Sequence, residues 1–327
     1  MTLKPLNNKI NYNYILALLS IVFLAMFPLI GATSYMMHLF ILFFIWAVVA
    51  AYWNLLIGYV GIYSLGNIAF LAIGGYTSGI LSKTYGLPPL FTIIIGGIVA
   101  CITVTLFLGL PALRLRGIYI ALLTLIFASM LPSLLTQTRD ITGGGMGLHG
   151  IPGFLPGIQR IHTYYFCLVF FIIALYIIYR IIHSKTGLAF IALRESEDFA
   201  STLGVSRYLE RLKVFAISSF MTGIAGGFYV HSLGDISPTT LGIEPFLLAL
   251  AMIQLGGVGT FLGPVIGAAA IIFGNEYLRL AGTLRLALLG ALICAIILFY
   301  PGGLMQLVTQ IGDFYKKIVG KLKISGN

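Results

Sequence analysis

Residues 182–213 read IHSKTGLAFIALRESEDFASTLGVSRYLERLK, the longest charge-rich segment of the chain to lie between apolar runs. That contrast decides the fold, because charge-free windows near twenty residues long are read as membrane spans and the segment between them as a connection at a membrane face. Within it, Ser196 is placed to cap a helix, Glu197 and Asp198 suit a positive first turn, and Gly204 can end the helix in the left-handed conformation. The predicted helix has roughly two turns. Phe199 and Leu203, four apart, share one face, and a helix this short does not hold itself together in water without something to pack against. From the segment alone, a docking helix and a solvated connecting loop are both open.

Working outward, the composition leaves little room for a soluble domain. Of 327 residues, 59% are hydrophobic and 9% charged, with a mean hydropathy of +1.04; soluble domains carry about a quarter charged residues. The chain reads as all-α, a polytopic membrane helix bundle. Glycine, at 39 residues, favours closely approaching helices in such apolar segments. The formal charge of +10 does not point to nucleic acid, because the basic residues sit in short connections and near the termini rather than on a soluble face. Cys101, Cys167 and Cys294 all lie inside apolar runs without a CxxC pair, and read as packing residues. No HExxH or comparable spacing among the histidines suggests a metal.

Charge-free windows place candidate spans at about 14–32, 35–57, 67–81, 88–110, 117–135, 164–182, 214–231, 245–262, 263–280 and 284–300. The expectation is about ten transmembrane helices in a single transmembrane domain over 1–327, or eight to ten if the short third and the closely spaced eighth and ninth contain re-entrant pieces. Lys4 and Lys9 precede the first run as in a signal peptide, but that run is too long for a cleaved core and is read as the first helix. Placing both termini in the cytoplasm puts Lys4, Lys9, Arg114, Arg116, Arg180, Lys185, Arg194, Arg207, Arg211, Lys213, Lys316, Lys317, Lys321 and Lys323 inside. Only Lys83, Arg139, Arg160, Arg279 and Arg285 are then outside, which fixes the expected orientation. Residues 183–213 then face the cytoplasm, and the glycine-rich loop 137–162, with TGGGMGLHGIPG at 142–153 followed by Pro156, faces outward.

Breaks in the spans stand out. GYVGIYSLG at 58–66 and GGVGTFLG at 256–263 share G-x-V-G and a following Leu-Gly, and each follows a long apolar run; an internal repeat and a shared packing need are both open. Gly75 and Gly79, Gly223 and Gly227, and Gly259, Gly263 and Gly267 are spaced four apart, as on helix faces that touch closely. Uncovered backbone and short polar side chains can line a wet cavity, so the break at 59–67 offers Tyr63, Ser64 and Asn67 as candidates for a translocation path.

Catalytic motifs are missing. There is no G-x-x-x-x-G-K-[ST] loop, no G-x-S-x-G elbow, and no pair of carboxylates within a span. Of the nine acidic residues, only Glu276 lies clearly within a span, with Glu244 at a boundary, and Glu276 near Arg279 reads as an interfacial ion pair. An ion-coupled carrier usually embeds charges or broken-helix sites for its driving ion. The chain is therefore read as a transporter subunit and not an enzyme, drawing energy from a partner.

Several ordered blocks resemble those of the inner-membrane permeases of branched-chain amino acid ABC importers, of the LivM-like type. They are NLLIGYVGIYSLGNIAFLAIGGY at 54–76, LRLRGIYIALLT at 113–124, TGGGMGLHGIP at 142–152, GLAFIALRESEDFASTLG at 187–204 and GGVGTFLGPVIGA at 256–268. The resemblance implies an ABC-importer permease fold and a coupling helix before Gly204. This helix is the counterpart of the loop that sits in a cleft of the cytoplasmic ATPase subunit. Asp198, Phe199 and Ala200 stand where Glu-Ala-Ala is often found, and Phe199 departs from the small residue expected. Asn67 and Ile62 replace a His and a Gln common in the first block.

The same resemblance implies partners. They are a related second permease forming a heterodimer, two cytoplasmic ATPase subunits, a substrate-binding protein and membrane lipid, in the cytoplasmic (inner) membrane of a bacterium or archaeon. No cofactor is expected on this chain, ATP and Mg being held by the ATPase. Glu195, Glu197, Asp198, Phe199, Ala200 and Gly204 are the expected coupling residues. The cargo expected is a branched-chain amino acid. Related permeases carry urea, short amides or other amino acids, and a lone ion-coupled carrier or channel is the alternative from another class.

Overall fold

The computed structural model of the protein describes residues 12–31, 33–115, 117–154, 160–300 and 302–306. Lys4, Lys9, Arg116, Pro156, Lys316, Lys317, Lys321 and Lys323, used above to orient the chain or mark its loop, lie outside the described residues.

Helices follow the apolar runs: α1 Tyr12–Met26, α2 Ser34–Asn54, α3 Asn67–Tyr85, α4 Pro89–Val104, α5 Ile118–Gln137, α6 Arg160–Ile182, α7 Lys185–Glu195, α8 Glu197–Thr202, α9 Arg207–Leu233, α10 Ile243–Gly256, α11 Gly263–Tyr277 and α12 Arg285–Phe299. Wide turns extend α2 through Leu55–Tyr59 and α4 through Thr105–Gly109. Local chemistry sets the ends. The Thr33 hydroxyl accepts from the Met36 amide at 3.3 Å to start α2, proline sits in the first turn of α4 where its missing N–H costs nothing, and Gly86 and Gly234 end α3 and α9 in the left-handed conformation.

Among the described residues, five helical stretches are long and apolar enough to cross a membrane: Ser34–Tyr59, Pro89–Ala112, Ile118–Gln137, Arg160–Ile182 and Arg207–Leu233. Each of the ten expected windows contains a helix, but the eighth and ninth end early. At 14 and 15 residues, α10 and α11 reach about 21 and 23 Å, short of a hydrocarbon core of about 30 Å. The glycine-rich run between them stops α10 at Gly256, with Gly257 and Gly259 at positive φ unwinding the chain, whereas α11 starts at Gly263 and passes after Tyr277 into a tighter turn over Leu278–Leu284. The two form a tight hairpin, with Gly267 against the Met252 carbonyl and Gly256 against that of Gly263.

At the centre stands α2, buried from Ala47 to Leu56 on every side; a helix apolar all round has no solvent face to keep. Aromatic side chains pack it to α6 and α11, through Phe44 with Phe171 and Phe43 with Phe273. A second layer is made by α3, α4 and α9, whose backbones touch. A methyl group added at Gly74 would overlap Gly223, one at Gly96 would meet the Gly74 carbonyl, and one at Gly226 would overlap the Leu71 carbonyl. The expected small-residue faces at Gly75, Gly79, Gly223 and Gly227 all lie in this layer, as packing in lipid requires.

The glycine-rich segment after α5 is ordered against this layer. Leu148–His149 pairs antiparallel with Asp235–Ile236, and the Ile151 amide donates to the Gly234 carbonyl at 2.9 Å. His231 sits beneath it, buried, with Nδ1 2.6 Å from the Pro152 carbonyl and Nε2 2.9 Å from Ser78 Oγ. Since a carbonyl only accepts, Nδ1 carries a hydrogen.

Candidate functional site

At the end of the bundle where α2 stops and α9 begins, α7 and α8 lie across the helix termini. Ser184 caps α7, its hydroxyl accepting from the Gly187 amide at 3.4 Å. At Ser196 the chain turns extended, and the Ser196 hydroxyl accepts from the Phe199 amide at 3.3 Å. The far end of α8 closes with two backbone bonds of 3.1 Å each, Gly204 amide to Ser201 carbonyl and Val205 amide to Ala200 carbonyl, with Gly204 at φ +83°. This is the paired 5→2 and 6→1 closure that a left-handed glycine permits. Six residues thus form a helix with both ends satisfied, as the cap and the glycine predict.

Its faces divide sharply. Ala200 is fully buried against the bundle, whereas Phe199 and Leu203 are 65% and 67% exposed, one turn apart, with Asp198 exposed beside them. Alongside opens a surface concavity of about 500 Å³ lined by Asp198, Ser201, Gly204, Val205, Ser206, Arg207 and Tyr208. Glu195 is exposed and pairs with Arg194 at 2.7 Å. Glu197 pairs instead with Arg211, which is 3% exposed and donates from Nη1 to the carbonyls of Ala112, at 3.1 Å, and Leu115, at 2.9 Å. The short helix is therefore tied to the chain that follows α4. Sequence reasoning used Arg211 only as a topology charge.

The two glycine breaks, singled out for their likeness, are in contact. The Asn54 side chain reads both backbone groups of the second break: its Oδ1 accepts from the Gly259 amide at 2.9 Å and its Nδ2 donates to the Thr260 carbonyl at 2.9 Å. Gly58 lies against Gly259 so closely that a side chain on it would overlap that backbone. From the end of α7, Arg194 Nη1 donates to the Gly58 carbonyl at 2.7 Å. Asn54 and Arg194 were missed as a pair, since their partners are 205 and 136 residues away.

Tyr63, Ser64 and Asn67 follow the first break but do not share one environment. Tyr63 is 64% exposed, while Ser64 and Asn67 are fully buried. The Ser64 carbonyl accepts from the Trp53 indole at 2.6 Å, and Ser64 Oγ has no partner among the described residues. Asn67 lies within 3.4 Å of Ser218 Oγ and Thr222 Oγ1. Between them, the Leu65 amide donates to Thr124 Oγ1 at 2.9 Å, so the extended segment folds back into the bundle and α3 starts inside it.

Away from this end, Glu276 and Arg279 pair at 3.4 Å, with Arg279 also donating to the Tyr35 hydroxyl at 2.9 Å. Glu244 pairs with Arg285 at 3.3 Å. Among the described residues, no group of three or more His, Cys, Asp or Glu side chains is arranged to hold a metal ion.

Against this geometry stand the comparisons with known proteins. A family model described as branched-chain amino acid transport system / permease component matches residues 35–299. The high-affinity branched-chain amino acid transport system permease protein LivM of Escherichia coli is 30% identical over 281 residues, covering 78% of this chain and 66% of the relative. Its counterpart in Salmonella typhimurium is 29% identical with the same coverage. A probable branched-chain amino acid transport permease protein LivM from Methanocaldococcus jannaschii is 24% identical over 187 residues, 56% of this chain and 54% of that protein. The chain thus spans just under two thirds of the length of the first two relatives. No solved structure matches.

Proposed function

The chain belongs to the family of branched-chain amino acid transport system permease components, and from that premise we propose that it is the membrane conduit of an ATP-driven importer for branched-chain, hydrophobic amino acids. The substrate class rests on what the relatives are named for. The mechanical part of the reading rests on one observation: α8 is closed at both ends, buried on its Ala200 side, and turns Phe199 and Leu203 outward. An exposed aromatic and an exposed leucine one turn apart are anchors for a cleft in another protein.

In this reading α8 faces the cytoplasm and docks in an ATPase subunit, which holds ATP and Mg while this chain binds no cofactor. A related second permease, a second ATPase and a substrate-binding protein complete the assembly. Closure of the ATPases on ATP carries α8 with it; the conduit responds because nucleotide-bound and nucleotide-free ATPases bind its two conformations with different affinity. Glu195 and Asp198 lie on the contact surface, Glu197 and Gly204 hold the helix in shape, and Ala200 seats it. Tyr63, Ser64 and Asn67 border the path once the 59–66 segment separates from Trp53 and Asn67 from Ser218.

Purification of the tagged chain in mild detergent tests the class of function, with co-purifying ATPase and second permease as the expected result. Uptake of leucine into proteoliposomes holding the complex, driven by internal ATP and dependent on the binding protein, is expected next. Uptake that survives ATP depletion and collapses with an ion gradient would refute the proposal.

A further inference from the structure

The coupling residues expected from sequence all lie within 195–204, and Ala200 among them is buried, yet the side chain that reaches the Gly58 carbonyl belongs to the partly exposed residue just before them. Arg194 occupies the last turn of α7, two positions ahead of the Ser196 cap. Its Nη1 donates to the Gly58 carbonyl at 2.7 Å, while Nε and Nη2 hold Glu195 Oε1 at 3.2 and 2.7 Å. Gly58 sits in the wide turn Leu55–Tyr59 that finishes α2, where helix carbonyls are left without an amide and the negative end of the helix dipole favours a cation. The guanidinium therefore completes the end of α2, using a planar fork that fixes its direction.

What lies beyond Gly58 gives this bond its reach. The Gly58 backbone is packed against Gly259, and one turn earlier Asn54 grips the Gly259 amide and the Thr260 carbonyl. A carbon added at Gly259 would lie 3.1 Å from Arg194 Nη1, so the guanidinium covers the contact between the two breaks. One side chain thus meets the break between α2 and α3 and borders the break between α10 and α11. The other attachment of α8, through Glu197 and Arg211, leads to Ala112 and Leu115 after α4 and reaches neither break.

We propose that Arg194 is a positioning residue that converts displacement of α8 into movement of both glycine breaks together, so that its loss separates ATP hydrolysis from transport. This rests on the importer reading above. A displacement of α8 must pass along α7 or α9 to reach the membrane interior. The Arg194–Gly58 hydrogen bond and the packing of Gly58 on Gly259 make a direct route from α7 through the last turn of α2 to the non-helical backbone at 257–260, where small backbone changes do not require a helix to break.

The experiment uses the complete transporter in proteoliposomes, with leucine and its binding protein as the probe, and reads leucine moved per ATP hydrolysed at matched amounts of assembled ATPase. For Arg194→Gln, ATPase assembly and hydrolysis are retained and the transport ratio falls about tenfold, the factor of one lost charge-assisted hydrogen bond. Arg194→Lys, whose ammonium can still donate to the Gly58 carbonyl, recovers part of the ratio. Asn54→Ala, which frees the second break without touching Arg194, lowers it as well. Three results overturn the proposal: a wild-type ratio in Arg194→Gln, loss of assembly with transport per ATP preserved in the remainder, or no recovery with lysine. A wild-type complex that imports no leucine counts against the importer reading instead, and is read before any variant is compared.

Discussion

Arg211 holds Glu197 from fourteen residues further along the chain, while its other nitrogen serves the carbonyls of Ala112 and Leu115. The pair therefore fastens a surface helix to the membrane layer through an arginine that is itself almost wholly enclosed.

Arg211→Leu removes the donor to the buried Ala112 carbonyl and the half-buried Leu115 carbonyl, and leaves Glu197 without its cation. The expected loss is about 1.5–3 kcal/mol, the range for a hydrogen bond to a charged group, seen as a lower unfolding temperature of the purified chain in detergent. An unchanged midpoint would show that water replaces the guanidinium at no cost.

Phe199→Ala acts oppositely. The ring is 65% exposed, so the isolated chain should change stability by less than about 0.5 kcal/mol. Retention of the ATPase should weaken by roughly ten- to a hundredfold, as loss of a ring worth about 1.5–3 kcal/mol when buried predicts. Titration of ATPase against immobilised complex separates the two effects, and equal binding by both chains would remove Phe199 from the contact.

Gly223→Ala introduces a methyl group where α3, α4 and α9 meet backbone to backbone. Overpacking of this kind costs about 1–3 kcal/mol. Gly274→Ala is the matched control: it lies inside α11 with open space around it, so alanine should leave stability unchanged or raise it by up to about 1 kcal/mol through helix propensity. Thermal unfolding of both in one detergent should give shifts of opposite sign or clearly different size.

Ser64→Cys, made with Cys101, Cys167 and Cys294 replaced, should resist a water-soluble thiol reagent in the conformation described here, since Ser64 is fully buried. Labelling should appear during ATP turnover if the 59–66 segment opens. Tyr63→Cys should label throughout. Protection of position 64 in every nucleotide state would place it in the permanent core.

The helices were legible in the sequence because lipid demands long charge-free runs, and the cap at Ser196 and the stop at Gly204 because both act within a few residues. Which face of a span is buried was not legible. Inside and outside are both apolar, so Phe91, Ile94, Ile98 and Ile102 on the exposed side of α4 look no different from the enclosed Ile45 and Val48 of α2; only the glycines marked where backbones meet. The early end of α10 was written in the glycine-rich run, but a hydropathy window averages over it. The polar ties escaped notice for another reason: Arg194 with Gly58, and Asn54 with Gly259 and Thr260, join parts of the chain that no local pattern relates, and a backbone carbonyl leaves no signature in the sequence.

Because its own cap and stop already close the ends of α8, a subunit docking there as proposed would meet a preformed helix rather than a strand to be ordered. Little conformational entropy is then lost on contact. Attachment and release can follow one another in every turnover without a stretch of chain having to melt and re-form.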